Sequence, residues 1–281
     1  MAMLAENRYG KTRVRLVRVR RRPGEHDFHE WAVEILVHGD FTSCFTTGDN
    51  SKILPTDTMK NTVYSLARSS QASDGEEFAK ELIDFLLGRN PQVAGAEVRV
   101  AEKAWEHLQT NGKPHPTTFV HLSDELQTTK VMRRQGGNFS VVSGLDNLVV
   151  MKTAGSAFEG YIQDSLTTLP QATDRLLGTA IRATWTYAKP DVAFGPARKR
   201  IRETLLYVFA EHDSKSVQHT LYAMGEAALK AAPEVEDIEL VMPNKHCLAV
   251  DLSRFGQDNP NEIFVPIDEP SGYIEARIRR A

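Results

Sequence analysis

Several side chains of chemically useful type stand where secondary structure alone does not require them. Lys11 opens the strand-like stretch YGKTRVRL, where by itself it reads first as a solvated strand-end cation. Thr56 and Asp57, in LPTDTMKNTVY, fall where the chain enters a helix. Capping by Thr56 and a favourable helix-dipole charge on Asp57 account for both; the other reading is a helix start that offers N–H groups and a hydroxyl to an anion. Phe158 is either a core aromatic or a platform for a flat ligand, and Arg175 either pairs with a carboxylate or clamps an anion. Val217 and Gln218 occupy the first turn of the helix opened by Ser216, where backbone N–H groups lack intrahelical partners. The Gln218 amide is an exposed helix group or a two-point partner for an amide edge. PNKHCLAVDL alternates like a half-buried strand. Its more apolar face carries Asn244, His246, Leu248, Val250 and Leu252 and is expected to point inward. An amide and an imidazole on that face need partners: either other polar groups of the protein or a ligand pocket, and the rest of the sequence favours the pocket.

The elements that must position these groups come in the same order twice. Strands are expected over about 11–20 and in WAVEILVHG, then helices at about 57–68 with Thr56 as N-cap and at EEFAKELIDFLL between Asp74 and Gly88, then strands near AEVRVAEKAW and TTFVHL. A polar linker is expected over about 123–137. The second half has strands near VSGLDNLVVMKT and TAIRATWTYA, helices at GPARKRIRETLLYVFAEH and SVQHTLYAMGEAALKAA, strands at DIELVM and HCLAVDL, and a last extended segment, GYIEARIR. The expected class is α+β: two antiparallel sheets, each with helices on one face, in repeats 1–135 and 136–281. Such sheets leave open edges, and joining them between subunits into a barrel removes those edges. An oligomer is therefore expected. The segment 156–179 lacks clean periodicity until Asp174, and a long irregular stretch in a compact domain is often functional.

The bulk numbers exclude several classes. The 281 residues are 41% hydrophobic and 25% charged, with a net charge of −3, so no global field draws the chain to nucleic acid. The basic stretch RVRLVRVRRR reads as an amphipathic strand with a charged outer face; few aromatics interleave its arginines for base stacking. No apolar run has the length of a membrane span, and the N-terminus lacks the layout of a secretory signal. Cys44 and Cys247 make no disulfide framework, which fits a reducing cytoplasm. The closest histidine pair, His26 and His29, lacks metal-site spacing, and no GxGxxG or Walker A motif is present. Neither a metal nor an organic cofactor is expected.

YGKTRVRLV, GDNSKILPTDTMKNTVY, the segment from Phe158 to TDRLLGT, SVQHTLYAMGEAAL, and MPNKHCLAVDL followed by GQDNPNEIFVPIDEPSGYIEA occur in that order. Together they resemble urate oxidases over nearly the whole chain, with the GQDNPNE stretch similar to bacterial members. The resemblance implies the tunnelling fold, tandem repeats closed into barrels in a homotetramer with active sites at subunit interfaces. It implies oxidation of urate by O2 and water to 5-hydroxyisourate and hydrogen peroxide without a cofactor. Carried over residue by residue, it makes Lys11, Thr56 and His246 a proton relay, with Thr56 and Asp57 reaching urate from the neighbouring subunit. Phe158 then stacks on the purine, Arg175 and Gln218 clamp its edge beside the Val217 N–H, and Asn244 sits above the ring near the site of O2 and water. Tyr161 departs from the family's usual Phe, Ser165-Leu166 from a charged–aromatic pair, and Pro170 from a polar residue. The chain ends IRRA, without an SKL-type peroxisomal address. The rival readings are a tunnelling-fold enzyme acting on a pterin or another purine, and a nucleic-acid-binding module built on the basic strand.

Overall fold

A computed structural model describes residues 2–267 and 269–280. The chain falls into two compact units. Unit 1 holds Met1–Gly144 and Thr186–Pro196; unit 2 holds Leu145–Trp185 and Ala197–Ala281.

Unit 1 contains β1 (Tyr9–Arg22), β2 (Glu25–Gly39), α1 (Thr42–Thr46), α2 (Thr56–Ser69), α3 (Gly75–Arg89), β3 (Val93–Thr110) and β4 (Lys113–Arg134). The four strands are antiparallel in the order β1-β2-β3-β4. Alternation along β2 turns Trp31, Val33, Ile35 and Val37 to one face, where each is at most 1% exposed. Helices α2 and α3 cover that face with Met59, Val63 and Ala67, and with Phe78, Leu82, Ile83 and Leu86. Trp31 and Phe78 stack at 4.9 Å. Each such side chain removed from water contributes about 1.5–3 kcal/mol before entropy is counted.

Three details of unit 1 differ from expectation. The stretch 123–134, read as linker, lies inside β4. The β3–β4 hairpin is closed by a tight turn at Asn111 and Gly112, at φ +52° and +73°. Arg18 is on the inward face of β1, not the outer one: it is 7% exposed, lies 4.3 Å from the Trp31 ring centre, and donates to the Ala72 carbonyl at 2.8 Å. Helix α3 runs through Gly88 and stops at Asn90, while Asp74 caps its start by accepting from the Glu77 N–H at 2.9 Å. We expect Asp74→Ala to cost about 1 kcal/mol, measured as a lower urea midpoint with an unchanged m-value.

Unit 2 contains most or all of β5 (Ser140–Lys152), β6 (Leu177–Tyr187), α4 (Phe194–Glu211), α5 (Val217–Ala231), β7 (Val235–Val241), β8 (Asn244–Ala249), β9 (Phe264–Ile267) and β10 (Glu275–Arg279). Its main order is β5-β6-β7-β10; β8 pairs β6 at its start and β9 along the rest. Ile181, Ala183 and Trp185 of β6, Ile238 and Leu240 of β7, and Leu221, Met224 and Ala228 of α5 are buried. Gly225 lets α5 approach β10, since a Cβ there would lie 2.7 Å from Ile278 Cδ1. Among the described residues the strands form one continuous sheet that does not close: β1 pairs only β2, and β10 only β7. This is the α+β tunnelling fold, antiparallel sheet with helices on one face.

Candidate active site

In unit 1 the structure brings Lys11, Thr56 and Asp57 into one neighbourhood. Lys11 pairs with Ile35 across β1–β2, and the register slips between Lys11 and Val14. Arg13 sits in that bulge with φ +55°. A bulge re-aims the side chains beside it, here at Lys11. Gly10 is required at the same place, because a Cβ on it would fall 1.8 Å from the Ile35 carbonyl oxygen. Thr56 is the first helical residue of α2 rather than its cap. Pro55 holds the cap position with φ −57° and ψ +137°, and no side chain caps this end. Proline fixes the approach angle to the helix that a threonine cap was expected to set. Thr56 is half-buried and Asp57 exposed. The Asp57 carboxyl is held below its ordinary range, first by Lys60 and then by smaller contributions that include the Lys11 charge.

Tyr9 is a further residue of this neighbourhood, one that the sequence does not single out. Its hydroxyl accepts from the Leu54 N–H at 2.8 Å and donates to the Leu54 carbonyl at 3.2 Å. It thereby ties the start of β1 to the turn before α2. The only signal was a tyrosine in YGK, which reads equally well as a strand residue.

In unit 2 the irregular segment before β6 is organised by short ladders. Ala157 donates to the Ser214 carbonyl at 2.7 Å, Phe158 and Ala172 exchange backbone bonds at 2.8 and 3.1 Å, and Arg175 donates from its backbone to Ser156 at 2.7 Å. Asp174 accepts from the Ser156 N–H at 3.1 Å. These bonds bring Phe158 and Arg175 together, with the Arg175 guanidinium carbon 4.9 Å from the Phe158 ring centre. Tyr161 stacks on Phe158 at 4.8 Å and 13°, and its hydroxyl donates to the Leu169 carbonyl. The residue that departs from the family's usual Phe thus backs the ring and ties the loop.

Arg175 is half-buried, which depresses its pKa, while Tyr161 acts weakly in the opposite sense. Its Nε is buried with no protein acceptor among the described residues. A buried guanidinium donor without a partner carries a desolvation cost that a bound acceptor relieves. The loop lies along Ser214, two residues before Ser216, whose side chain caps α5 by accepting from His219 N–H at 3.1 Å. Val217 and Gln218 therefore open α5 near this segment; Val217 is 4% exposed and Gln218 exposed.

Asn244 and His246 stand on β8, where Asn244 pairs with Thr179 of β6 and its Nδ2 lies 3.3 Å from His246 Nδ1. Their strand is shorter than expected and its face is not inward: β8 ends at Ala249, both site residues are half-buried, and Leu248 is 56% exposed. The strand leaves β6 after its first two residues and continues paired only with β9. Alternation marked one face correctly as apolar, but it is only partly covered: Asn244, His246, Val250 and Leu252 are half-buried and Leu248 is exposed. Of the histidine pair considered for metal, His29 contacts Glu102 at 2.5 Å. Among the described residues no three His, Cys, Asp or Glu side chains converge as metal ligands.

The uricase family profile matches residues 7–132 and 141–275. The uricase of Arthrobacter globiformis is 38% identical over 278 residues, covering 99% of this chain and 90% of the relative. That of Dictyostelium discoideum is 37% identical over 284 residues, covering 100% and 99%. The crystal structure of the Arthrobacter globiformis uricase superposes with a TM-score of 0.93 over 100% of this chain and 96% of the other. A uricase structure from Bacillus fastidious, 24% identical with a TM-score of 0.86 over 98% and 94%, shares the fold. A chain matched over most of its length by the profile and over nearly all of it by full-length relatives belongs to the uricase family.

Proposed function

We propose that this urate oxidase oxidises urate with O2 and water at a site shared between subunits. Lys11, Thr56 and Asp57 come from one subunit, and Phe158, Arg175, Val217, Gln218, Asn244 and His246 from its neighbour. The observation that carries the assignment is the buried, unpartnered Arg175 Nε beside the Phe158 ring. A planar purine anion matches both: its face stacks on the ring, and its edge accepts from the guanidinium fork. Gln218 and the Val217 N–H, at the positive end of α5, complete the edge contacts.

In this reading urate loses two electrons and gains a hydroxyl from water at C5. O2 takes the two electrons and two protons and leaves as hydrogen peroxide. The protein fixes the ring and moves protons. Thr56 passes a proton between water and Lys11, His246 sets the protonation of Lys11, and Asn244 holds first peroxide and then water. No metal or organic cofactor has a step to perform.

The open edges at β1 and β10, and the exposed cross-strand pair Leu248–Val265, support assembly into a homotetramer that closes the sheets into barrels. The order of elements supports tandem repeats over 1–135 and 136–281. Free Cys44 and Cys247 support a cytoplasmic setting; among the described residues no helix is long and apolar enough to cross a membrane. The test is loss of the urate absorbance band by chelator-treated protein. We expect one peroxide formed per urate consumed. Absence of turnover, or turnover that returns only with added metal, overturns the assignment.

A further inference from the structure

We propose that Tyr9 is a positioning residue that holds the Thr56 hydroxyl in register with the Lys11 amine. The inference rests on reading Lys11 and Thr56 as the proton-handling pair. Tyr9-Gly10-Lys11 begins β1, and Leu54-Pro55-Thr56 leads into α2. The Tyr9 hydroxyl takes both backbone groups of Leu54, accepting at 2.8 Å and donating at 3.2 Å. One phenol therefore braces two tripeptides, each two residues short of a reacting side chain.

The rest of the neighbourhood makes this brace necessary. The start of α2 has no side-chain cap to hold Thr56 in place. Pro55 makes the Leu54-to-Thr56 step stiff, so a fixed Leu54 fixes Thr56. On the other side Gly10 lies against the Ile35 carbonyl with no room for a Cβ, so β1 cannot slide at Lys11. The tyrosine ring is itself fixed by an edge contact with Phe41 at 4.8 Å and 82°, and Phe41 is fully buried. Burial holds the phenol proton on, with the Leu54 bond opposing it and Cys44 adding to it, so the hydroxyl remains a donor to Leu54. Proton transfer between two side chains is sensitive to displacements of an ångström or less. An apolar residue of the same shape cannot supply the brace.

The experiment uses Tyr9→Phe in the full-length protein, with turnover of urate and direct binding of xanthine, a purine anion that lacks the 8-oxo group, measured side by side. We expect kcat to fall about tenfold or more, xanthine affinity to stay within about twofold, and the solvent deuterium isotope effect on kcat to rise as proton transfer becomes limiting. A tyrosine that serves only stability lowers the melting temperature and leaves kcat and the isotope effect at the parent values; that result overturns the inference. A cycle with Thr56→Ala removes dependence on a single variant. If Tyr9 acts through Thr56, Tyr9→Phe changes the residual rate of Thr56→Ala by less than about twofold; a full tenfold effect in that background overturns it. Lys11→Met separates the two layers. If Lys11→Met is crippled and Tyr9→Phe is not, the brace fails and the pair stands; if Lys11→Met turns over normally, the pair itself fails.

Discussion

Lys11→Met is expected to bind a purine anion normally and to oxidise urate about a thousand times more slowly. General acid–base groups typically contribute 10²- to 10⁴-fold, and the middle of that range applies to a lysine with no evident substitute. Methionine keeps the unbranched stem and the bulged backbone at Lys11–Val14, so the fold has no reason to change. In the proposed arrangement the affinity contacts lie elsewhere, on Phe158, Arg175 and Gln218. Removing the amine therefore removes proton transfer while leaving the ring held. Steady-state kinetics on urate, with xanthine binding by calorimetry, separates the two effects. A kcat within about threefold of the parent removes Lys11 from the relay. A loss of xanthine affinity equal to the loss of kcat instead makes Lys11 a binding residue.

The periodicity of β2, α3 and α5 was legible in the sequence because a single layer buries one face of each. Trp31, Val33, Ile35 and Val37 alternate, and the facing residues of the helices recur every three to four positions. The proposed site residues were assigned only through resemblance to a family. Individually, Lys11, Thr56 and Gln218 each have an ordinary structural reading. What the sequence hid has identifiable physical causes. The Lys11 bulge depends on Arg13 adopting a left-handed backbone, which no local glycine announces. The Tyr9–Leu54 brace spans 45 residues and involves backbone atoms, which have no side-chain signature. Pro55, not Thr56, takes the cap position, because hydroxyl capping and proline stiffening are alternative ways to start a helix. The β8 face looked inward because alternation reports that a face is apolar, not which molecule covers it; Leu248 and Val265 meet across β8 and β9 and remain exposed in the single chain.

Arg175→Gln is expected to raise KM for urate by about ten- to a hundredfold and to lower kcat much less. A charge-assisted contact contributes roughly 1.5–3 kcal/mol, and each 1.4 kcal/mol is about tenfold in affinity. The loop itself survives the substitution, because Arg175 is held by its backbone bond to Ser156, and the Phe158–Ala172 and Ala157–Ser214 bonds do not involve its side chain. Xanthine binding should weaken by the same factor as KM rises, since the clamp acts on ground state and transition state alike. Unchanged affinity would mean that the unpartnered Nε has no ligand to meet. Arg175→Lys sharpens the test. Lysine restores the charge but not the planar fork. If charge alone attracts urate, Arg175→Lys recovers most of the lost affinity. If the fork is what matters, as its place beside the Phe158 ring implies, Arg175→Lys stays within about threefold of Arg175→Gln, and only a guanidinium can set the purine edge and the purine face at once.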